Sequence, residues 1–430
     1  MDQTINRRSG ASRSPWAWIP TLYFAQGLPY VAVMTLSVIM YKRLGISNTD
    51  IALYTGWLYL PWVIKPLWSP FVDIISTKRR WVIAMQWVMA IGFAMIALTI
   101  PTDLFFRLTL AVFWMVAFTS ATHDIAADGF YMLALTEHEQ SFYVGIRSTF
   151  YRIASVAGQG LLVILAGWLE TTTGSIPTAW SIAIGALSAL FLLFALYHSW
   201  SLPRIERVAA EPEKIGNIWR EFGRVFGAFF RKRHIGTALL FMLLYRLPEA
   251  QLVKLINPFL LDPTEAGGLG LSTAEVGIVY GTVGIIGLTL GGIAGGLVAA
   301  ARGLRYWLRP MAWSMSLTCL TFVYLSFATA PSLLTVNICV FIEQFGYGFG
   351  FTAYMLYLIY FSEGEFSTAH YSLCTGFMAL GMMLPGMAAG WIQETIGYRN
   401  FFIWTMVCCV ATIAVTYLVK VDAGFGRKHQ

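Results

Sequence analysis

The chain has 430 residues, 57% of them hydrophobic and only 12% charged, with a mean hydropathy of +0.64 and a formal charge of +7. Soluble domains carry about 25% charged residues, so a soluble enzyme or binding module is excluded, and the apolar runs are too many for a single anchor. The basic residues fall in the gaps between those runs, the positive-inside pattern of a polytopic membrane protein and not a nucleic-acid surface.

Hydropathy predicts an all-α fold of twelve transmembrane helices, at 16–42, 49–75, 80–101, 104–135, 140–169, 177–200, 235–261, 273–300, 306–329, 332–361, 367–394 and 398–420. The first run is too long for a signal-peptide core, so it is expected to be retained. Residues 1–15 and 422–430 read as cytoplasmic tails, 16–201 and 235–421 as two six-helix bundles, and 202–234 as a cytoplasmic linker. Basic residues mark the inner gaps: Lys78, Arg79 and Arg80, then Arg302, Arg305 and Arg309, and eight more between Arg204 and Arg233. The outer gaps hold few, namely Lys42, Arg43, Arg107 and Arg399. Within the linker, Ile218–Phe230 alternates basic and aromatic residues, which fits an amphipathic helix on the membrane surface or a solvated connection. The five cysteines lie in apolar segments without metal-ligand spacing, so neither a disulfide framework nor a metal site is expected.

The halves look related. Gly27-Leu-Pro29 in the first span matches Arg246-Leu-Pro248 in the seventh, and Leu44–Ala52 matches Leu269–Gly277. In each of the latter pair a serine precedes an acid by three residues at a helix start, a capping box. Parallel repeats of this kind place a substrate site at their interface near the bilayer midplane.

Candidate functional residues follow in chain order. The second span ends in Ser69, Asp73 and then Lys78, Arg79 and Arg80. A small residue, an acid four on and a basic cluster resemble the loop between helices two and three of the major facilitator superfamily. An Asp at that helix end can pair with cations of the other half and latch a cytoplasmic gate. The fourth span carries His123, Asp124 and Asp128 in hydrocarbon. An ionisable group at that depth costs about 2.5–3.5 kcal/mol on insertion scales and defaults to a functional reading. Asp124 and Asp128 are four apart and share a helix face, which suits proton coupling; the alternative is a polar pair that locks packing. In the fifth span Arg152, Ser155 and Gln159 share a face, with Arg147 and Tyr151 on a neighbouring one, and an Asp–Arg pair between spans four and five is expected. In the seventh, Arg246 is the candidate for an anionic substrate group. Glu249, three residues on, is a further substrate-binding candidate or simply neutralises Arg246, and Pro248 permits a break. In the eighth, Gly284, Gly287, Gly291, Gly292, Gly295 and Gly296 read as close-packing positions. The tenth carries Glu343, a second proton-coupling candidate, on a face with Tyr347 and Tyr354, where tyrosines form a sugar-stacking wall or simply pack. No phosphate loop appears, so transport is expected to run on a gradient without a cofactor.

Three stretches together, Gly27-Leu-Pro29, Lys65–Asp73 and Ser120–Asp128, resemble the AmpG-type muropeptide permeases, a branch of the major facilitator superfamily that also holds acetyl-coenzyme A carriers. That resemblance implies a proton-coupled importer of anhydro-muropeptides in the bacterial cytoplasmic membrane. The bias of basic residues places both termini in the cytoplasm, and a monomer is expected. The alternatives are a carrier of another anionic solute, such as acetyl-coenzyme A or an organic anion, and a membrane enzyme or receptor. No HExxH pair or nucleophile elbow supports an enzyme.

Overall fold

The computed structural model of the chain describes residues 14–135, 137–204, 213–422 and 425. Every regular element among these residues is helical. Nine helical runs among them are long and apolar enough to cross a membrane. The last of them is divided at Gly397, where φ is +77°, so it supplies two spans. Two more spans are each built from a pair of shorter helices, Asn48–Trp57 with Leu60–Ile75 and Ile235–Leu244 with Leu247–Leu261. The total is the expected twelve.

The spans are numbered here in chain order. Span one runs from Pro15 to Arg43 and span two over 48–75. Spans three and four are Lys78–Thr99 and Phe105–Ala134. Span five covers 137–173 and span six Ile176–Ser201. Span seven covers 235–261; spans eight, nine and ten are Thr273–Arg302, Leu304–Phe327 and Leu333–Ser362. Spans eleven and twelve are the parts of Ser367–Leu418 on either side of Gly397.

Several spans depart from a plain α-helix for identifiable reasons. Pro29 has no amide to donate, and three residues later span one widens into a π-turn at Ala32–Leu36. Spans five and eight carry matching π-turns, Ala157–Leu161 and Val279–Gly284, where they cross each other. Span seven breaks at Tyr245–Arg246, and a new helix starts with Pro248 in its first turn, where a missing N–H is harmless. Both expected caps form. At Ser272 the box is complete, with Glu275 reaching back to the Ser272 amide at 2.8 Å. At Ser47 the hydroxyl caps the Asp50 amide, but the Asp50 carboxylate, one methylene shorter than Glu, takes the Ser47 hydroxyl instead.

The two ends of the bundle are chemically distinct. At one, the linker face, Ala17 accepts from Tyr197, Leu202 accepts from Arg79, and Leu304 donates to Phe425. The linker helix, Glu213–Phe230, also lies here. The aromatic edge assigned by sequence to the membrane surface is packed, at Phe229, on Phe361, His370 and Phe377 of spans ten and eleven. The other end, the far face, carries Lys42, Arg43, Glu170, Asp262 and Tyr398.

Glycine lets the halves and helices touch through backbone. A Cβ on Gly281 of span eight would overlap the Gln159 carbonyl of span five, and one on Gly390 of span eleven would overlap that of Asn48. Of the six span-eight glycines read as close-packing positions, Gly284, Gly287, Gly291 and Gly295 lie against span ten, whereas Gly292 and Gly296 have room for a side chain. All five cysteines are free and buried.

Candidate functional site

The break in span seven sets Arg246 at the start of a helix, on the inner surface of the second half. Arg246 is 8% exposed. It donates to the Tyr347 hydroxyl and stacks over Phe351 with 4.8 Å to the ring centroid. Its Nε has no partner, and no carboxylate among the described residues lies within ion-pair distance of it. Glu249, one turn on, is therefore a neighbour and not a salt-bridge partner. Glu249 and Glu343 are both buried, act on each other electrostatically, and both act on Tyr280 of span eight. Glu343 accepts from the Gln344 amide at 2.8 Å.

Across the interface stands a wall from the first half. Tyr30 of span one meets Trp62 of span two edge-on at 5.3 Å, and the Trp62 indole donates to Asp124 at 3.1 Å. The Arg246 charge acts on the Tyr30 and Tyr59 hydroxyls, and the Asp124 charge on Tyr30. The chain thus brings a guanidinium without a salt-bridge partner, several phenols and a carboxylate to one zone between its halves. Planar donors with aromatic flanks suit a carboxylate-bearing ligand that has ring faces to stack.

Asp124 and Asp128 look in different directions. Asp124 faces span two, where half-buried Lys65 also acts on it. Asp128 accepts from Tyr23 of span one at 3.2 Å and pairs with Arg147 of span five at 3.6 Å. Arg147 also donates to Tyr23 and lies over the Tyr23 and Tyr131 rings. The Asp–Arg pair expected between spans four and five exists, and of the two span-five arginines it is Arg147 that makes it. Arg152 is exposed and reaches toward Gly292 of span eight, 3.8 Å from where a Cβ would stand. Gln159 sits in the π-turn where span five crosses span eight. His123 is turned into the first half. It meets Gln86 at 3.1 Å, Gln86 meets His198 at 3.0 Å, and His198 meets Thr21 at 2.9 Å, so four spans share one buried polar chain.

Two sequence expectations change. Tyr354 is fully buried, donates to the Met242 carbonyl at 2.7 Å, and stacks on Tyr245. Its hydroxyl is committed to packing, so in this conformation it is not a ligand group; Tyr347, seven residues before it, holds that position. The expected gate is also different. Arg79 donates to the Leu202 and Ser199 carbonyls of span six in its own half, and Lys78 is buried against Gly129 of span four. Arg80 is exposed. The Asp73 side chain lies outside the described residues.

The polar contacts that do join the halves lie toward the far face. Lys42 of span one pairs with Asp262 at the end of span seven at 2.6 Å. Asn48 donates to Gln393 and Tyr398, and Tyr398 donates to Asp262 at 2.6 Å. Thr49 donates to Glu394. Glu170 of span five takes Arg43 and Trp180 from its own half and Thr273 from span eight at 2.8 Å. Deeper, Lys254 donates to Thr55 at 2.8 Å. With a longer bond from Asn48 to Asp262 at 3.5 Å, these are the hydrogen bonds and ion pairs between described residues that bridge the halves. The far face is sealed in this conformation. None of these residues entered the sequence-derived site, although Lys42 and Arg43 stood out as basic residues on the side where few occur.

Residues 21–365 match the Major Facilitator Superfamily. The chain is similar to the anhydromuropeptide permease of Escherichia coli K12, 26% identical over 420 residues covering 94% of this chain and 80% of that one. It is also 26% identical to "Putative transporter AmpG 4" of Rickettsia felis, covering 93% and 95%. Among solved structures, a point mutant of the nucleoside transporter NupG superposes with a TM-score of 0.71 at 15% identity, over 94% of this chain and 99% of that one.

Proposed function

Because the chain belongs to the Major Facilitator Superfamily, and so is a membrane transporter and not an enzyme, we propose that it imports anhydro-muropeptides across the bacterial inner membrane by proton-coupled alternating access. The observation that carries this reading is Arg246, a buried guanidinium with an open Nε and no carboxylate partner, facing phenols of the other half. A sugar-peptide offers it a carboxylate and offers Tyr347, Phe351 and Tyr30 the apolar faces of sugar rings. Arg152 and Gln159 line the approach along span five, and Glu249 keeps the guanidinium from binding any anion too tightly.

In this proposal the linker face, with both termini, is cytoplasmic, and the two six-helix halves rock about the central zone. The far-face contacts then close the periplasmic side. Asp124, Asp128 and Glu343 carry the coupling proton. Protonation of Asp128 releases Arg147, which then keeps only the neutral Tyr23 and Tyr131 among the contacts described above, and frees span five to shift against span four. In the opposite state Asp73 with Lys78, Arg79 and Arg80 closes the cytoplasmic side. Each copy acts alone, since each chain contains both walls.

The test is uptake by the reconstituted full-length protein with an imposed pH step, using an anhydro-muropeptide beside acetyl-coenzyme A and simple organic anions. Accumulation of the muropeptide alone supports the proposal. Accumulation of another anion in its place assigns a different cargo to the same cation, and no gradient-driven accumulation of any of them overturns transport of this class.

A further inference from the structure

Span seven carries a second buried cation. Lys254 is eight residues beyond Arg246 and 2% exposed. Its Nζ donates to the Thr55 hydroxyl at 2.8 Å and stands 5.2 Å from the Tyr59 ring centroid. The Thr55 hydroxyl hydrogen is spent on the Ile51 carbonyl at 2.6 Å. No described carboxylate pairs with Lys254. An ammonium has three donors and is costly in hydrocarbon, and here it has one neutral oxygen and one ring face. The contrast on the same span is Asp262, which meets a full counter-charge in Lys42.

Both partners of Lys254 belong to span two, in the opposite half. When the far face opens, span two leaves span seven, and Lys254 loses both at once while gaining access to that side. Opened in this way, the ammonium can be met by water or by an anion, and only an anion also meets its charge. Eight residues of helix rise about 12 Å, so an elongated solute can touch Lys254 and Arg246 in sequence or together. We infer that Lys254 is a far-side anion subsite. It takes a carboxylate of the incoming solute in the far-open state, and Thr55 and Tyr59 replace that carboxylate as closure passes the solute to Arg246. This rests on the transport reading above and adds that the cargo is an extended anion engaged first from the far side.

Lys254→Gln in the reconstituted protein tests it. A charge-assisted hydrogen bond is worth roughly ten- to a hundredfold in affinity. The KM for an anhydro-muropeptide supplied at the far face is expected to rise by about that factor. Binding to detergent-solubilised protein held in the far-sealed conformation is expected to change by less than about twofold, because there Lys254 already faces Thr55. An unchanged KM, or equal losses in both measurements, overturns the assignment. A second variant covers poor folding and a wrong cargo. Lys254→Cys is treated from the far side with a membrane-impermeant cationic thiol reagent, against a background of buried native cysteines and an exposed Asp103→Cys control. Modification slowed by anhydro-muropeptide, or by whichever anion the uptake panel selects, supports the subsite. Failure to modify position 254 while Asp103→Cys reacts, or modification that no anion slows, rejects it independently of the cargo.

Discussion

Asp262→Asn isolates the far-face seal. The substitution keeps side-chain shape and removes the charge that Lys42 meets at 2.6 Å. The pair is neither solvated nor sealed, with side-chain exposures of 15% and 14%, and Asp262 also holds the Tyr398 hydroxyl at 2.6 Å. Exposed pairs are worth about 0.2–1 kcal/mol, and breaking a buried one costs about 3–5 kcal/mol. An intermediate position gives about 2 kcal/mol, and because the pair joins the two halves, that free energy acts only on the sealed state. At about 1.4 kcal/mol per factor of ten, the ratio of far-open to far-sealed molecules should rise about 30-fold. Spin labels on Asp103→Cys and Thr329→Cys, on far-face loops of opposite halves, report this by double electron–electron resonance. The long-distance population should grow in Asp262→Asn, and Lys42→Met should reproduce it without adding to it. An unchanged distribution in both variants would show that the seal does not depend on this ion pair and rests on the remaining far-face contacts.

Other outcomes follow from the same geometry. Arg246→Gln should lower kcat/KM for uptake at least 100-fold, whereas Tyr347→Phe, which leaves the guanidinium in place, should cost about five- to tenfold; equal losses would mean that Arg246 only supports Tyr347. Gly281→Ala forces a methyl into the Gln159 carbonyl and should lower the melting temperature by several degrees, consistent with about 1–3 kcal/mol of overpacking. Gly296→Ala, with nothing within 4 Å, should leave it unchanged.

Much of this architecture is legible in the sequence because hydrocarbon imposes it. Apolar length and basic gaps locate all twelve spans, and the serines at 47 and 272 mark helix starts that form as expected. Side-chain partners are less legible. Arg147 and Arg152 are five residues apart, about 140° around a helix, and only the rotation of span five decides which meets Asp128. Tyr354 and Tyr347 share a helix face, but the depth of span seven behind them turns one into a wall and leaves the other open. The far-face network was hidden because Lys42, Asn48, Glu170, Asp262 and Tyr398 are scattered along the chain. Its trace was the minority of basic residues on the far side: Lys42 and Arg43 are ion-paired, and Arg399 donates to the Ser326 carbonyl.

Proton coupling through the fourth span is reached most directly by comparing two modes of transport in Asp124→Asn and Asp128→Asn. The expected result is loss of accumulation under a pH step, with exchange of labelled for unlabelled anhydro-muropeptide at equal pH still running. Accumulation at the unmodified rate in both variants would contradict it and return these acids to a packing role.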